Sequence, residues 1–479
     1  LTINHLPGEV LLEIFVSYRQ IIKSHNWRGE YAWFNLTQVC RKWRAVVFGS
    51  TSRLDLGVTV GPVKPVHIDT ILSTSGLLPI FIGYCVDGEI TGSALKRMRT
   101  VLEQHDRVRE ISFIGTNAWL DEFFRNTNYP FPTLETLTLG SGLASIEYEE
   151  LKLPDTVLGG PDLSNLHLRH LLLEGFSFTS LSKLLLSLST LTTLSLQIDT
   201  PFSISPETSL LACLQGMPCL CRIDLVAPSS PLTSPPPPSA LIDIVPLSKL
   251  TYLRYVGHSV FMDAIAAGLS APFLRDFYMV FQDGISSPIV HLSRFVSETE
   301  VHYHTVHVAL NDWNLRLRSF TQSEHPRQRS SCCWLSFNVP EVPTRSMESM
   351  MLMSSILSTK LSTVEELRVV LGPGMMVAEG HIPWCRFYQQ FPSIKVFQAR
   401  GINYDSIVRT LLQDHSKHLA IFPALEEIEL VGEGLGWPPD SEEASRSESG
   451  LAAFKPFISS RQKAGRSVKV FTNKRFLTE

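Results

Sequence analysis

One short apolar pattern, aliphatic-x-x-aliphatic-x-aliphatic, recurs along most of this 479-residue chain and constrains its fold more than any other feature. Ten copies are clear. They read Val108, Ile111, Phe113; Leu134, Leu137, Leu139; Leu168, Leu171, Leu173; Leu191, Leu194, Leu196; and Leu220, Ile223, Leu225. They continue as Leu250, Leu253, Tyr255; Leu274, Phe277, Met279; Val364, Leu367, Val369; Ile394, Phe397, Ala399; and Leu425, Ile428, Leu430. Weaker copies are Leu77, Ile80, Ile82; Val301, His304, Val306; and Cys332, Leu335, Phe337. The second and third positions are two residues apart, which puts both on one face of a β-strand. The flanks recur in register. Glycine follows seven residues after the first position at Gly115, Gly175, Gly257, Gly401 and Gly432, where a positive-φ turn ends a strand without steric cost. Proline precedes it by two at Pro132, Pro218, Pro272, Pro392 and Pro423, three of them preceded by Phe131, Phe391 and Phe422. Proline there stops the preceding segment and needs no ladder hydrogen bond.

The first positions run from Leu77 to Leu425 at a mean spacing of 29 residues, room for one strand, one turn and one helix. Helices are expected between strands at Ala94 to His105, Ser180 to Ser189, Ser209 to Gln215, Met347 to Thr359 and Ser406 to His415. The unit resembles an irregular leucine-rich repeat. That resemblance implies an α/β solenoid over residues 57–479, with parallel strands on a concave side and helices on a convex side. The Asn or Cys usual after the family's strand is replaced by Thr116, Gly142, Phe176, Asp199, Pro228, His258, Gln282, Gly372, Ile402 and Glu433, so no asparagine ladder is expected. A Pro-rich insertion at 227–239 and polar loops at 321–331 and 438–450 interrupt the period, and Val468 to Phe471 reads as a closing strand.

Composition narrows the function classes. With 44% hydrophobic and 18% charged residues the chain is globular rather than disordered. Its formal charge of −4 supplies no global field for gathering nucleic acid. The longest apolar stretch, Leu181 to Leu196, is broken by Lys183 and repeated Ser and Thr, short of the ~20 apolar residues of a membrane span. Neither a nucleic-acid nor a membrane partner is therefore expected. Eight scattered cysteines without framework spacing point to a reducing compartment, cytoplasmic or nuclear.

The first fifty residues are different. Leu6-Pro7 opens a helix at proline's favoured position, and Val10, Leu11, Ile14 and Phe15 then form an apolar face. A second helical pattern sets Leu36, Val39, Cys40, Trp43 and Val47 on one stripe flanked by Arg41, Lys42 and Arg44. So small a unit cannot bury this many large side chains by itself. Some of the face is expected to meet a partner or the rest of the chain.

These residues, Leu6-Pro7, Val10-Leu11, Ile14-Phe15, then Leu36 and Val39-Cys40-Arg41-Lys42-Trp43-Arg44, resemble an F-box over residues 1–56. The stretch from Tyr18 to Trp33, with Trp27 and Tyr31, is longer than in compact members and is expected to be a long internal loop. The resemblance implies a Skp-type adaptor as partner, and through it a cullin and a RING protein. The residues it implies for adaptor contact are Leu6, Pro7, Val10, Leu11, Ile14, Phe15, Leu36, Val39, Arg41 and Trp43. Trp43 serves equally well as internal packing, and Cys40 is the better core residue.

No catalytic set assembles. His302 and His304 share a strand face, but no carboxylate or cysteine joins them in sequence, and Cys213, Cys219 and Cys221 lack paired Cys-x-x-Cys spacing. Gly372-Pro373-Gly374 lacks the Lys-Ser/Thr of a phosphate loop. No metal, cofactor or enzymatic activity is expected. The chain is expected to act as a substrate-recognition subunit of a ubiquitin ligase that holds a protein target on its repeats. The alternative is an interaction scaffold of leucine-rich-repeat type outside any ligase.

Overall fold

The computed structural model describes residues 5–25, 32–50, 54, 57–61, 72, 76, 78–86, 92–127, 129–141, 153–154, 167–176, 178–198, 206–227, 244–282, 289–310, 314–320, 332–338, 354–371, 384–400, 421–431 and 454–472. The loops expected at 321–331 and 438–450, all but Ala227 of the Pro-rich insertion and the helix expected at Ser406 to His415 lie outside these residues. The protein is a mixed α/β structure built on parallel β-strands, and its chain divides into two units, Leu1–Thr200 and Pro201–Glu479.

The first unit opens with three helices, α1 (Gly8–His25), α2 (Ala32–Val39) and α3 (Arg41–Gly49). Six strands follow: β1 (Val58–Val60), β2 (Ile80–Val86), β3 (Val108–Gly115), β4 (Thr136–Ser141), β5 (His170–Glu174) and β6 (Thr193–Gln197). Each pairs in parallel with the next, so sequence order is spatial order. The register aligns Ile111, Leu137, Leu171 and Leu194 in one row and Phe113, Leu139, Leu173 and Leu196 in the next. All eight are buried. At about 1.5–3 kcal/mol per fully buried aliphatic or aromatic side chain, these rows contribute strongly to the unit's stability.

The backbone explains why the first aliphatic stands three residues before the second. The carbonyl just after the first aliphatic accepts two successive N–H groups from the next repeat. Glu135 O takes Arg169 N and His170 N at 2.8 and 3.0 Å, and Arg169 O takes Thr192 N and Thr193 N at 2.8 and 2.9 Å. Two residues thus oppose one, as in a β-bulge, which returns the first aliphatic to the inward side. Glu365 O and Lys395 O repeat the arrangement in the second unit. The prolines also acquire a geometric role. Leu134 N donates to Phe131 O, Leu220 N to Met217 O, Leu274 N to Ala271 O and Leu425 N to Phe422 O, so each Pro occupies the second position of a β-turn. The residue before it is a fourth core position, with Phe131, Met217, Ala271, Phe391 and Phe422 all buried.

Of the glycines expected to turn with positive φ, Gly175 does so at 78°. Gly257 stands at φ 158°, and a Cβ there would lie 2.7 Å from Ala227 Cβ and 2.6 Å from Tyr255 Oη. Close approach therefore demands glycine at that position. Gly115 ends β3 without a left-handed turn.

In the second unit, β7 (Arg222–Val226), β9 (Tyr252–Gly257) and β11 (Asp276–Phe281) run in parallel. A separate two-stranded parallel sheet joins β8 (Val245–Pro246) and β10 (Leu269–Ser270). The sequence order then breaks. The strands β12 (Thr305–Leu310), β13 (Asn314–Phe320) and β14 (Cys332–Asn338) form an antiparallel meander laid down in reverse order. Its β14 pairs with β11, and its β12 pairs with β15 (Glu366–Leu371). Two weak copies are thereby corrected. The buried residues are Tyr303, Val306 and Val308 instead of Val301, His304 and Val306, and it is Cys333 and Leu335, not Leu335 and Phe337, that stand level with Phe277 and Met279 of β11. Both errors are shifts of two residues, which preserve strand parity and so leave the apolar alternation looking intact. Beyond β15 the parallel order resumes through β16 (Val396–Arg400), β17 (Glu427–Val431) and β18 (Lys469–Thr472), the closing strand expected from the sequence.

Cations tie consecutive segments together. Arg107 donates to Leu78 O at 3.1 and 2.9 Å, Arg294 to Ala266 O and Ala267 O at 3.2 and 2.8 Å, and Lys360 to Thr299 O. Arg461 is only 1% exposed, and its guanidinium reaches Phe422 O at 3.0 Å and Pro423 O at 3.3 Å. Burial lowers its pKa, and the nearby Arg466 adds to that. Carbonyl acceptors at a chain turn provide the hydrogen bonds that such a buried charge requires.

Candidate partner-binding site

Helix α1 begins where Leu11 N reaches Pro7 O at 3.1 Å, as expected for a helix opened by proline. Its alternate faces have opposite fates. Leu11 and Phe15 are fully buried, whereas Val10 and Ile14, one turn apart, stand 42% and 43% exposed. Phe15 meets the Trp43 ring edge-on at 4.8 Å between centroids, the favoured geometry for two aromatic quadrupoles. Phe15 therefore packs α1 against α3 through Trp43, and Leu11 is buried one turn before it on the same helix. The half-buried Trp43 keeps its Nε1 buried without an acceptor among the described residues.

The second helical pattern is two helices, not one. Cys40 is extended at φ −159°, ψ 171°, and its Sγ accepts from Trp43 N at 3.5 Å, capping α3. Side-chain capping by a sulfur is what allows a helix to start here without Ser, Thr, Asp or Asn. The break takes Leu36 and Val39 off the stripe that carries Trp43 and Val47. Leu36 is half-buried, Val39 is 56% exposed, and Val47 is fully buried. The described part of the long loop expected from Tyr18 to Trp33 is helical, because α1 continues to His25 and α2 starts at Ala32, while residues 26–31 lie outside the described residues.

Two hydrogen bonds, one long-range and one local, position the exposed residues. Lys42 Nζ donates to Leu6 O at 2.7 Å across 36 positions, and Arg44 Nε donates to Thr37 O at 3.0 Å. Leu6 is half-buried, while Pro7 and Arg41 are exposed. The residues accessible to a partner are thus Pro7, Val10, Ile14, Val39 and Arg41, with Leu6 and Leu36 at their margins. Lys42 was missed as a positioning residue because nothing local in a sequence marks a contact 36 residues away.

Among the described residues ten large hydrophobic side chains are strongly exposed, and five of them, Val10, Ile14, Ile21, Val39 and Phe48, lie in α1–α3. Half of the exposed apolar side chains of the described residues thus fall within three helices, and contiguous exposed apolar surface is what marks an interaction site. Among the described residues no three His, Cys, Asp or Glu side chains gather as a metal site, and no helix is long and apolar enough to cross a membrane. His302 is exposed, and His304 lies 3.8 Å from the Glu365 carboxylate, a neighbour from 61 positions away that the sequence could not reveal. Neither a scan against protein-family models nor a search of curated proteins finds a match for the chain.

Proposed function

We propose that α1–α3 form an F-box and that the protein is the substrate-recognition subunit of a Skp–cullin–F-box ubiquitin ligase. The observation that carries this reading is the exposed apolar row of Val10 and Ile14 on α1, with Val39 exposed on α2, beside the buried Leu11 and Phe15. Such a row suits a helix of a Skp-type adaptor laid against it. The repeats on this reading form an irregular leucine-rich-repeat solenoid, strands concave and helices convex, that holds a protein target. Stacked parallel strands with aligned aliphatic rows support that architecture, and the β12–β14 meander is its main irregularity. The chain performs no chemistry of its own, takes no cofactor, and acts by holding its target near a recruited ubiquitin-conjugating enzyme. Leu6→Ala combined with Pro7→Ala is expected to abolish co-purification with a Skp-type adaptor while leaving the thermal transition of the repeats nearly unchanged. Retained co-purification would sink the assignment, and adaptor binding without cullin in the complex would leave a scaffold outside any ligase.

A further inference from the structure

Within each unit the turns that open successive repeats stack upon one another, and the residue just before the first aliphatic recurs in a row along them. At three places in that row a hydroxyl donates to a carbonyl of the preceding repeat: Thr133 to Val108 O at 3.0 Å, Thr190 to Leu168 O at 2.9 Å and Ser393 to Ser362 O at 2.6 Å. At two consecutive turns of the second unit, Met217 to Leu220 and Leu247 to Leu250, the row instead carries Cys219 and Lys249. Stacking brings them together, with Lys249 Nζ 3.6 Å from Cys219 Sγ. A second thiol is beside them. Leu220 is fully buried, so its two neighbours Cys219 and Cys221 both turn outward, half-buried, and the Cys221 thiol reaches back to Cys219 O at 3.4 Å. Neither cysteine is in a disulfide.

We propose that Cys219 and Cys221 form a peroxide-oxidised dithiol, with Cys219 as the attacking sulfur, Lys249 as the cation that holds its negative charge, and Cys221 as the resolving thiol. Thiolates, not thiols, attack peroxides, and the Lys249 ammonium at 3.6 Å is placed to pair with an attacking sulfur at Cys219. In the first step the Cys219 sulfur attacks one peroxide oxygen. An S–O bond forms, the O–O bond breaks, and the departing hydroxide takes up a proton to become water, leaving a sulfenic acid. In the second step the Cys221 sulfur attacks Cys219. An S–S bond forms, the S–O bond breaks, and the hydroxyl leaves as a second water. The two thiols lose two electrons and two protons, and the hydroperoxide is reduced by the same two electrons. The buried Cys213 is an internal contrast, since burial pushes its thiol up to about 11.

The link has a structural consequence. Cys221 O accepts Thr251 N at 2.9 Å, Tyr252 N at 3.2 Å and the Thr251 hydroxyl at 3.2 Å, so it holds β9 onto β7. Closing a ring between residues two apart bends the chain at that carbonyl and loosens the junction.

The test treats the full chain with hydrogen peroxide, alkylates the remaining thiols and maps the peptides by mass. The expected result is loss of two hydrogens from the segment holding Cys219 and Cys221 before Cys213 reacts, with a lowered thermal transition. Cys221→Ser is expected to stop at a dimedone-reactive oxygen adduct on Cys219. Lys249→Met is expected to slow oxidation of Cys219 several-fold at an unchanged thermal transition of the reduced protein, and Lys249→Arg to restore the rate. Both cysteines staying reduced while Cys213 oxidises, or oxygen accumulating on Cys219 of the unmutated chain without the two-hydrogen loss, overturns the dithiol. An unchanged rate in Lys249→Met overturns the role given to the lysine.

Discussion

In β3 to β6 the residues Ile111, Leu137, Leu171 and Leu194 form one row hidden from solvent, whereas in α1 and α2 Val10, Ile14 and Val39 stand at 42%, 43% and 56% exposure. The residue types are alike, and what differs is the supply of neighbours. Each parallel strand receives its core contacts from the strands on either side, and every copy of the pattern adds to a shared interior. In the helices Leu11, Leu12, Phe15 and Val47 are buried, with Phe15 against Trp43, while Val10, Ile14 and Val39 stay exposed among the described residues. A row of aliphatic residues is thus core in one region and candidate interface in the other, and position within the fold decides which.

The largest effect that tests this contrast is expected in the strands. Phe113 is fully buried and stacks on Phe123 at 5.1 Å and on Tyr84 at 5.9 Å. Phe113→Ala is expected to cost about 3–5 kcal/mol in denaturant unfolding, the range for an aromatic removed from a packed core. A cost comparable to that of an exposed residue would break the contrast. A much smaller effect belongs to Glu122, where the hydrogen bond from Arg99 at 2.5 Å, then that from Asn126, hold the carboxyl below its ordinary range. The folded value is the lower one, so this contribution is complete above the ordinary value of 4.5 and disappears as pH falls through the lowered value. Because Arg99 is 55% exposed and screened by solvent, Glu122→Gln is expected to cost no more than about 0.5–1 kcal/mol at neutral pH. Unfolding curves of the two proteins should converge on acidification, and a gap that widens with falling pH would contradict the sign.

How much of this was legible depended on how local the signal was. The ten clear triplets identified the strands and their inward faces because alternation and flanking prolines are written within seven or eight residues of one another. The fourth core position was only half visible. Its phenylalanines and Met217 stood before proline, but Leu188 and Leu247 occupy the same place without a marker. The β12–β14 meander was not legible, since an antiparallel detour and a parallel repeat share the same two-residue period. In the helical module the apolar face of α1 was read correctly as a face, but its division into Leu11 and Phe15 inside and Val10 and Ile14 outside depends on Trp43 arriving from α3. The break at Cys40 escaped because a cysteine cap leaves no glycine or proline behind.

The central claim is that the exposed row on α1 is a partner site and not merely unfinished core. It is tested most directly by titrating the purified full chain with a Skp-type adaptor and comparing it with the double variant Val10→Asp, Ile14→Asp. Both positions are exposed, so the variant is predicted to keep the thermal transition of the parent and to lose adaptor binding. Adaptor binding that survives in the double variant, or a parent protein that binds no adaptor, would contradict the account.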